Sequence, residues 1–457
     1  MIMIEIKARE LDSAILLALE GAINDIKVII CPHSLVNDSL IKSKFKFIYH
    51  DKSISNGKDE YFKKLKKNGI SITSIDQEHG LLQTDFNMFL EARYPEKSLA
   101  LVDKVFTWGN YDHQKILDYH PTLSSKVKCT GSPRIDIWRN INFSTSQLKK
   151  QILVSSNLGG IMDFKRIWQL KQALDDYILT NQSFETDMYD SQIQSVRMTL
   201  EYVKLVRFLA KELEDIKIIF RPHPIESIEG WKILIGEYTN VYVTKEKSIS
   251  YWLDQSDILI HNGCTTGFES AIKNIDTISY QPIELKQNYY SSNKFGIKCS
   301  SSEDVLKTIR KKYTNIADDK KEFTKNKLED YFVNAFSDIR ASSRIVDEWK
   351  QLEKLLPNFS NFSIKKHIKI SALKKNGFLL LKIFKRLAKE ISSRVNKSPK
   401  ESRLNIKKVQ NFLSDYKFES LRMNEILEIK KDLTNINKDF DKVKIKKLSN
   451  RTFLFYK

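Results

Sequence analysis

Short apolar runs alternate with helical patterns along the first two thirds of the chain, and this alternation constrains the fold more than any other feature. Such alternation is typical of parallel sheets covered by helices on both faces. Two separate series of runs therefore predict two doubly wound domains, whose ligands bind beyond the carboxyl ends of the strands. The runs cover 2–6, 27–31, 46–49, 70–74, 103–107 and 127–130, then 151–155, 216–220, 240–244, 257–260 and 275–280.

Breaks in this pattern give the predicted domains. We place a first Rossmann-like domain at 1–145 and a second one at 146–355, with a mainly helical insertion at 164–213. Beyond residue 355 the alternation stops, and 356–457 is predicted to be a basic, mainly helical extension. These boundaries leave a cleft between the two sheets, where function is expected.

Most of the net positive charge lies in the extension. The formal net charge is +19, and residues 363–410 hold fifteen Lys or Arg against two Glu. A basic amphipathic helix at 363–397 is typical of segments that bind anionic membranes. A helix that packs on the domains and points its lysines at water fits the same pattern. Nucleic-acid binding is disfavoured, because the basic stretch lacks a fold signature or an aromatic platform.

Cysteine usage and hydropathy indicate the compartment. The four cysteines lie far apart without a CxxC pair, so free thiols are expected. The amino-terminal segment carries too many charges for a signal peptide, and no apolar run is long enough to cross a membrane. These features predict a cytoplasmic protein, or one held on the inner face of the cytoplasmic membrane by its extension.

One polar cluster follows the strand at 257–260. A helix that begins at Thr265 or Thr266 would point free N–H groups and a positive dipole end at a ligand above the sheet. Asn262 and Gly263 line this turn, and Glu269, one turn into the helix, would accept hydrogen bonds from ribose hydroxyls. An ordinary turn with a threonine cap and an exposed carboxylate is the alternative.

A second polar cluster, "RPHPIE", follows the strand at 216–220. Its two prolines keep the segment extended, so Arg221 and His223 can offer donors to phosphate oxygens, with Glu226 close behind. Ser156 and Asn157 follow the strand at 151–155 and are candidates to face the same ligand. Together these residues predict a pocket for a nucleotide phosphate, although a surface loop with a chance histidine would give the same pattern.

The first domain offers carboxylates at its strand ends instead. Glu78 lies in "DQEHG" after one strand, and Asp136 lies in "TGSPRID" after another. Two carboxylates that face one cleft suit acid/base or nucleophilic glycosyl chemistry, and Arg134 beside Asp136 is expected to lower its pKa and keep it ionised. The alternatives are a solvated loop carboxylate for Glu78 and a helix-capping role for Asp136.

Seven motifs in order, from residue 2 to about 350, resemble bacterial surface-carbohydrate biosynthesis proteins. The resemblance is to GT-B enzymes similar to retaining β-Kdo transferases. It implies a GT-B-like fold and transfer of a ulosonic acid from a CMP-sugar, with Asp136 as nucleophile and Glu78 as acid/base. It also implies that Arg221, His223, Thr265, Thr266 and Glu269 hold CMP. The motifs are "EIKARELDSAILLALEGA", "DKSIS", "DQEHG", "VFTWGN", "TGSPRID", "RPHPIE" and "HNGCTTGFESAI".

The leaving group bears on cofactors. A nucleoside monophosphate has one phosphate, which a cationic pair and a helix amino terminus can stabilise. We therefore expect no metal and no cofactor, and Arg9, Arg134 and the Ser155–Ser156 pair are candidates for the donor carboxylate. The expected partners are a CMP-sugar and a glycan or lipid-linked glycan acceptor. A CDP-glycerol-type transferase and a non-catalytic nucleotide-sugar-binding scaffold remain alternatives.

Overall fold

The structure is a computed structural model of the chain. It describes residues 1–43, 45–78, 86–142, 150–158, 186–224, 226–283, 291–314, 328–354, 364, 366–368 and 420–457.

The first sheet has eight strands in the order β13-β14-β2-β1-β3-β4-β5-β6. Strands β1 to β6 pair in parallel, whereas β14 pairs antiparallel with both β2 and β13. Its strands are β1 (Ile2–Ile4), β2 (Val28–Pro32), β3 (Ile48–Asp51), β4 (Ser71–Ile75), β5 (Lys104–Thr107), β6 (Val127–Cys129), β13 (Lys444–Ser449) and β14 (Thr452–Tyr456). The helices up to β6 are α1 (Lys7–Ile23), α2 (Asp38–Ile41), α3 (Asp59–Lys67), α4 (Phe86–Arg93), α5 (Glu96–Leu99) and α6 (Asn110–Tyr119).

The second sheet has six parallel strands in the order β12-β11-β10-β7-β8-β9. Its strands are β7 (Gln151–Ser155), β8 (Lys217–Arg221), β9 (Val241–Val243), β10 (Ile258–His261), β11 (Asp276–Tyr280) and β12 (Ile297–Cys299). The helices from β6 onward are α7 (Pro133–Asn140), α8 (Thr186–Glu212), α9 (Ile228–Ile235), α10 (Ile249–Asp254), α11 (Thr265–Ile272), α12 (Ser302–Tyr313), α13 (Ala341–Glu353) and α14 (Met423–Thr434).

The predicted α/β class with two doubly wound sheets is confirmed. All eleven predicted strands are present, with ends within two residues of the prediction. Most of them are buried along their length, as expected for parallel strands covered on both faces, whereas Tyr242 in the middle of β9 at the sheet edge is 52% exposed. The prediction missed β12, which has three residues, and the hairpin β13–β14.

The carboxyl-terminal hairpin belongs to the first sheet. Phe453 and Phe455 on β14 are fully buried beside β2, and α14 packs on α1 with an ion pair between Lys7 and Glu425 of 2.8 Å. The expectation of a mainly helical extension did not include this hairpin, because β13 is rich in lysine and lacks a clear alternating pattern. Its lysines are largely exposed, as is common on a sheet edge.

The segment 328–340, which we call the strap, runs from the second domain back to the first. Phe332 in the strap packs against Trp108 of the first domain and Phe268 of the second. Helix α13 follows and packs on α1 and α7. Trp349 on α13 donates a hydrogen bond of 3.1 Å to the Thr73 hydroxyl. Residues 341–353, which the prediction placed in the second domain, therefore contact the first.

Two sequence predictions lie largely outside the described residues. These are the amino-terminal part of the helical insertion, at 164–185, and most of the basic helix at 363–397. Within the described ranges, no helix is both long and apolar enough to cross a membrane.

Candidate functional site

The loops after β7 and β10 are joined by hydrogen bonds at the carboxyl edge of the second sheet. The Asn157 amide N–H donates to Asn262 Oδ1 (3.1 Å), and Asn157 Nδ2 donates to the Gly263 carbonyl (2.7 Å). Gly263 has φ +107°, which a side chain would disfavour. Asn157, Asn262 and Gly263, all predicted site residues, therefore join the two loops in front of α11.

Glu226 has a structural role in this structure. Its carboxylate is buried and accepts hydrogen bonds from the Ser156 hydroxyl, the Leu158 amide and Trp231 Nε1. Burial raises the pKa of Glu226, and these donors oppose that rise. These hydrogen bonds thus connect the loop after β8 to the loop after β7. The structure assigns Glu226 and Ser156 to each other, although both were predicted to face a ligand.

Four predicted residues stand at the edge that these loops support. Arg221 and His223 are half-buried, Thr265 is half-buried and Thr266 is buried at the start of α11. Arg221 donates to the Glu246 carbonyl (2.8 Å), and burial lowers the pKa of its guanidinium to about 10, so it stays charged. This group has the cations and helix start that suit a phosphate.

Glu269 lies under this edge and is almost fully buried. It accepts a hydrogen bond from the Ser250 hydroxyl. Burial raises the pKa of Glu269 to about 7, against the opposing effects of Ser250 and of the Lys273 and Arg134 charges. The carboxyl group is therefore poised between its neutral and ionised forms near neutral pH, and it was not expected to be buried.

In the first domain, Glu78 lies between two arginines. Arg9 Nη1 is 2.7 Å from Glu78 Oε1, and Arg93 Nη1 is 3.2 Å from Glu78 Oε2. Burial raises the pKa of Glu78, but the Arg9 and Arg93 charges outweigh it and hold the pKa below its usual value. Arg93 also makes a two-pronged contact with buried Asp76. Glu78 is thus an ionised, partly exposed carboxylate, which suits a base better than an acid.

Arg134 connects the two domains. Its side chain is only 9% exposed and its guanidinium carbon lies 5.6 Å from the Trp108 ring centroid and 4.9 Å from that of Trp138. Nη1 donates to the Gln77 carbonyl (3.0 Å), and Nη2 lies 3.5 Å from Thr265 Oγ1 in the second domain. Burial and the nearby Arg9 charge lower its pKa to about 10.

Asp136 faces the strap and is 0% exposed. Its Oδ1 accepts hydrogen bonds from Asn334 Nδ2 (2.7 Å) and the Ala341 amide (3.0 Å), and its Oδ2 accepts one from the Ser342 amide (2.9 Å). Burial raises the pKa of Asp136 by more than these donors lower it, and Arg134 is not among its partners. The expected lowering of this pKa by Arg134 is therefore corrected.

The capping alternative for Asp136, at a linker helix that begins near Ile137, is wrong about the helix: α7 begins at Pro133, and Ser132 is its cap. Asp136 lies within α7 but binds the first amides of α13, where a carboxylate is favoured by the helix dipole. Two other residues of "TGSPRID", Gly131 and Ser132, also contact Asn334. Gly131 has φ +83°, and a β-carbon there would lie 2.2 Å from Asn334 Oδ1. The Ser132 amide also donates to Asn334 (3.1 Å).

Sequence reasoning missed two residues that shape this region. Arg93 reaches Glu78 and Asp76 from α4, and Asn334 joins the strap to Ser132 and Asp136. Neither belongs to a motif, and both act over separations that spacing does not reveal. In the described part of the chain, no group of three or more His, Cys, Asp or Glu is arranged to hold a metal ion.

Comparisons with known proteins give only distant likenesses. No family model and no curated protein matches the chain. The UDP-GlcNAc 2-epimerase from Neisseria meningitidis, bound to UDP-GlcNAc, is similar at 12% identity over 66% of this chain and 76% of that one (TM-score 0.43). MnaA of S. aureus with UDP is similar at 15% identity over 78% of this chain and 84% of that one (TM-score 0.43). The wall teichoic acid polymerase TagF is similar at 14% identity over 68% of this chain and 73% of that one (TM-score 0.41). Likenesses this weak carry no inference about activity.

Proposed function

We propose that the chain is a GT-B-type glycosyltransferase that moves a ulosonic acid from a CMP-activated donor to a surface glycan acceptor. The observation that carries this proposal is the meeting of Arg134 and Thr265 across the cleft. There a cation from the first domain reaches the start of α11, at the same edge of the second sheet as Arg221 and His223. The motif resemblance supplies the donor class, and the cations support the binding of a single phosphate.

Glu78 is the carboxylate best suited to activate the acceptor. It is ionised, partly exposed and held by two arginines. In the proposed step, the bond between the anomeric carbon and the phosphate oxygen breaks, and its electron pair leaves with CMP. The acceptor oxygen bonds to that carbon and its proton passes to Glu78. No metal is needed, because arginine and histidine donors offset the charge that develops on one phosphate.

The two carboxylates predict different stereochemistry. With Glu78 as base, one displacement suffices and the anomeric configuration is inverted. A covalent intermediate on Asp136, which the resemblance implies, would retain it. For that route Asn334 of the strap and the first amides of α13 would have to release both oxygens of a fully buried carboxylate. We therefore favour the single displacement.

Nucleotide binding followed by product analysis tests the function. Calorimetry with CMP, UMP and cytidine should show binding of CMP in preference to UMP. Incubation with CMP-Kdo or a CMP-nonulosonic acid and a glycan acceptor should release CMP and give a glycoside, whose anomeric configuration is read by NMR. Failure of the wild type to bind any of the nucleotides, or a glycerophosphate product from CDP-glycerol, would overturn the proposal.

We also propose that basic residues in 363–397 hold the enzyme at an anionic membrane. The hairpin β13–β14 completes the first sheet, so removal of residues 363–457 would damage the fold as well. Replacing Lys374 and Lys375 with Gln avoids this problem. Each basic residue near such a surface contributes about 1 kcal/mol, so the double variant should bind anionic vesicles roughly 30-fold more weakly. Equal cosedimentation of both proteins would contradict this proposal.

A further inference from the structure

Arg134 is a buried cation whose charge is not paired within the described residues. No carboxylate in those ranges lies within 4.0 Å of its nitrogens, although Arg9 and Arg93 each make close ion pairs. Removing a charge from water without a counter-ion costs several kcal/mol. A chain that keeps such a group at a domain boundary gains from it when an anion binds.

We propose that Arg134 binds the phosphate of the nucleotide, so that each domain supplies part of one phosphate site. The inference rests on the proposed function, which places a nucleotide phosphate at the start of α11. It adds a direct contact from the opposite domain. It also gives Arg134 a catalytic role, because the charge that develops on the departing phosphate lies against its guanidinium.

The orientation of the guanidinium fits this role. The rings of Trp108 and Trp138 flank it, and the Gln77 carbonyl anchors Nη1. Nη2 lies 3.5 Å from Thr265 Oγ1, so it already reaches the first residue of α11. Of five N–H donors, these two contacts use at most two, and a fixed planar fork is well matched to a phosphate.

Charges around the guanidinium come from both domains. Arg9, Glu10 and Glu78 of the first domain and Glu269 of the second all influence its electrostatics. The carboxylates among them have other partners: Glu10 accepts from the amides of Glu5 and Ile6, Glu78 binds two arginines, and Glu269 accepts from Ser250. An incoming phosphate can therefore form an ion pair with Arg134 without displacing these contacts.

Calorimetry with two probes tests the assignment. CMP and cytidine share a base and ribose and differ in the phosphate. Arg134→Met keeps a long side chain between the tryptophans but removes the charge, and it should weaken CMP binding about 10- to 100-fold while cytidine binding stays unchanged. Arg134→Lys keeps the charge but lacks the planar guanidinium, so its CMP affinity should lie between those of the wild type and Arg134→Met. Arg139→Gln is the matched control, because Arg139 on the same helix binds strap carbonyls instead.

The outcomes separate the two proposals. Equal CMP affinity for the wild type and Arg134→Met, with both proteins folded by thermal melting, overturns the phosphate contact alone. The same result with weaker binding of CMP-Kdo would assign Arg134 to the donor carboxylate and would also overturn it. A wild type that binds neither CMP nor cytidine overturns the proposed function and this inference together.

Discussion

The polar loops at the carboxyl edges of the two sheets have different contacts. In the first domain, the loops after β5 and β6 are occupied by the strap: the Val333 amide donates to the Trp108 carbonyl (3.0 Å), and Asn334 binds Ser132 and Asp136. In the second domain, the loops after β7, β8 and β10 bind one another through Asn157 and Glu226. In the second arrangement Arg221, His223 and Thr265 at the start of α11 lie half-buried at the same edge of the sheet.

The difference shows that a polar motif at a strand end does not have a single use. Arg134 and Asp136 are two residues apart in the first turns of α7, yet Arg134 contacts the other domain and Asp136 contacts the strap and the start of α13. A two-residue step in a helix rotates a side chain by about 200°, so neighbours of this kind point to opposite sides. We propose that Arg134 binds the ligand, whereas Asp136 stabilises the fold.

The largest expected effect is on turnover in Glu78→Gln. A glutamine keeps the size and polarity of the side chain but cannot accept the acceptor's proton, so turnover should fall about 10²- to 10⁴-fold. CMP affinity should hardly change. Release of CMP from the donor in the presence of acceptor measures the first effect, and calorimetry measures the second. Near-normal turnover would exclude Glu78 as the base and would favour Asp136 as the catalytic carboxylate.

The next effect concerns nucleotide affinity in His223→Ala. Loss of one charge-assisted hydrogen bond should cost roughly 1.5–3 kcal/mol, or about 10- to 100-fold in the affinity for CMP. Cytidine serves as an internal control, because it lacks the phosphate that His223 is expected to contact. If CMP binds the variant as tightly as the wild type, His223 does not belong to the second-domain site.

A smaller effect is expected in the pH dependence of CMP binding. Burial raises the pKa of Glu269 to about 7, so the neutral carboxyl group predominates below that pH and the ionised form above it. An ionised Glu269 repels a phosphate, so affinity should fall about three- to tenfold from pH 6 to pH 8. The wild-type profile relative to that of Glu269→Gln isolates this effect, and parallel profiles would contradict it.

The same raised pKa affects stability. A carboxyl group whose pKa is higher in the folded state contributes stability that is present below its unfolded pKa and is lost as the pH rises through the folded pKa. For Glu269 that window runs from its ordinary value of 4.5 to about 7. The Glu269→Gln protein should therefore lose less stability than the wild type across this range in urea unfolding.

The sheets were predictable because their strands are short, apolar and separated by regular helices. The register of Ile258–His261 beside β7 and β11 buries every residue, which is the pattern that the sequence displays. The strap contacts were not predictable, because Asn334 meets Asp136 across 198 residues and no periodic pattern marks it. For the same reason the sequence identified Glu226 and Asp136 as polar strand-end residues but could not reveal that their partners are protein groups.

Thermal unfolding of Asp136→Asn tests the contrast between the two edges most directly, and it requires no knowledge of the donor. Asparagine would place an N–H group against the amides of α13, and a buried unsatisfied donor costs about 1–3 kcal/mol. At about 2–4 °C per kcal/mol for a domain of this size, the melting temperature should fall by several degrees. Asp118→Asn, at an exposed site on α6, is the matched control and should melt like the wild type. An Asp136→Asn protein with an unchanged or raised melting temperature would contradict the structural role and favour a nucleophile.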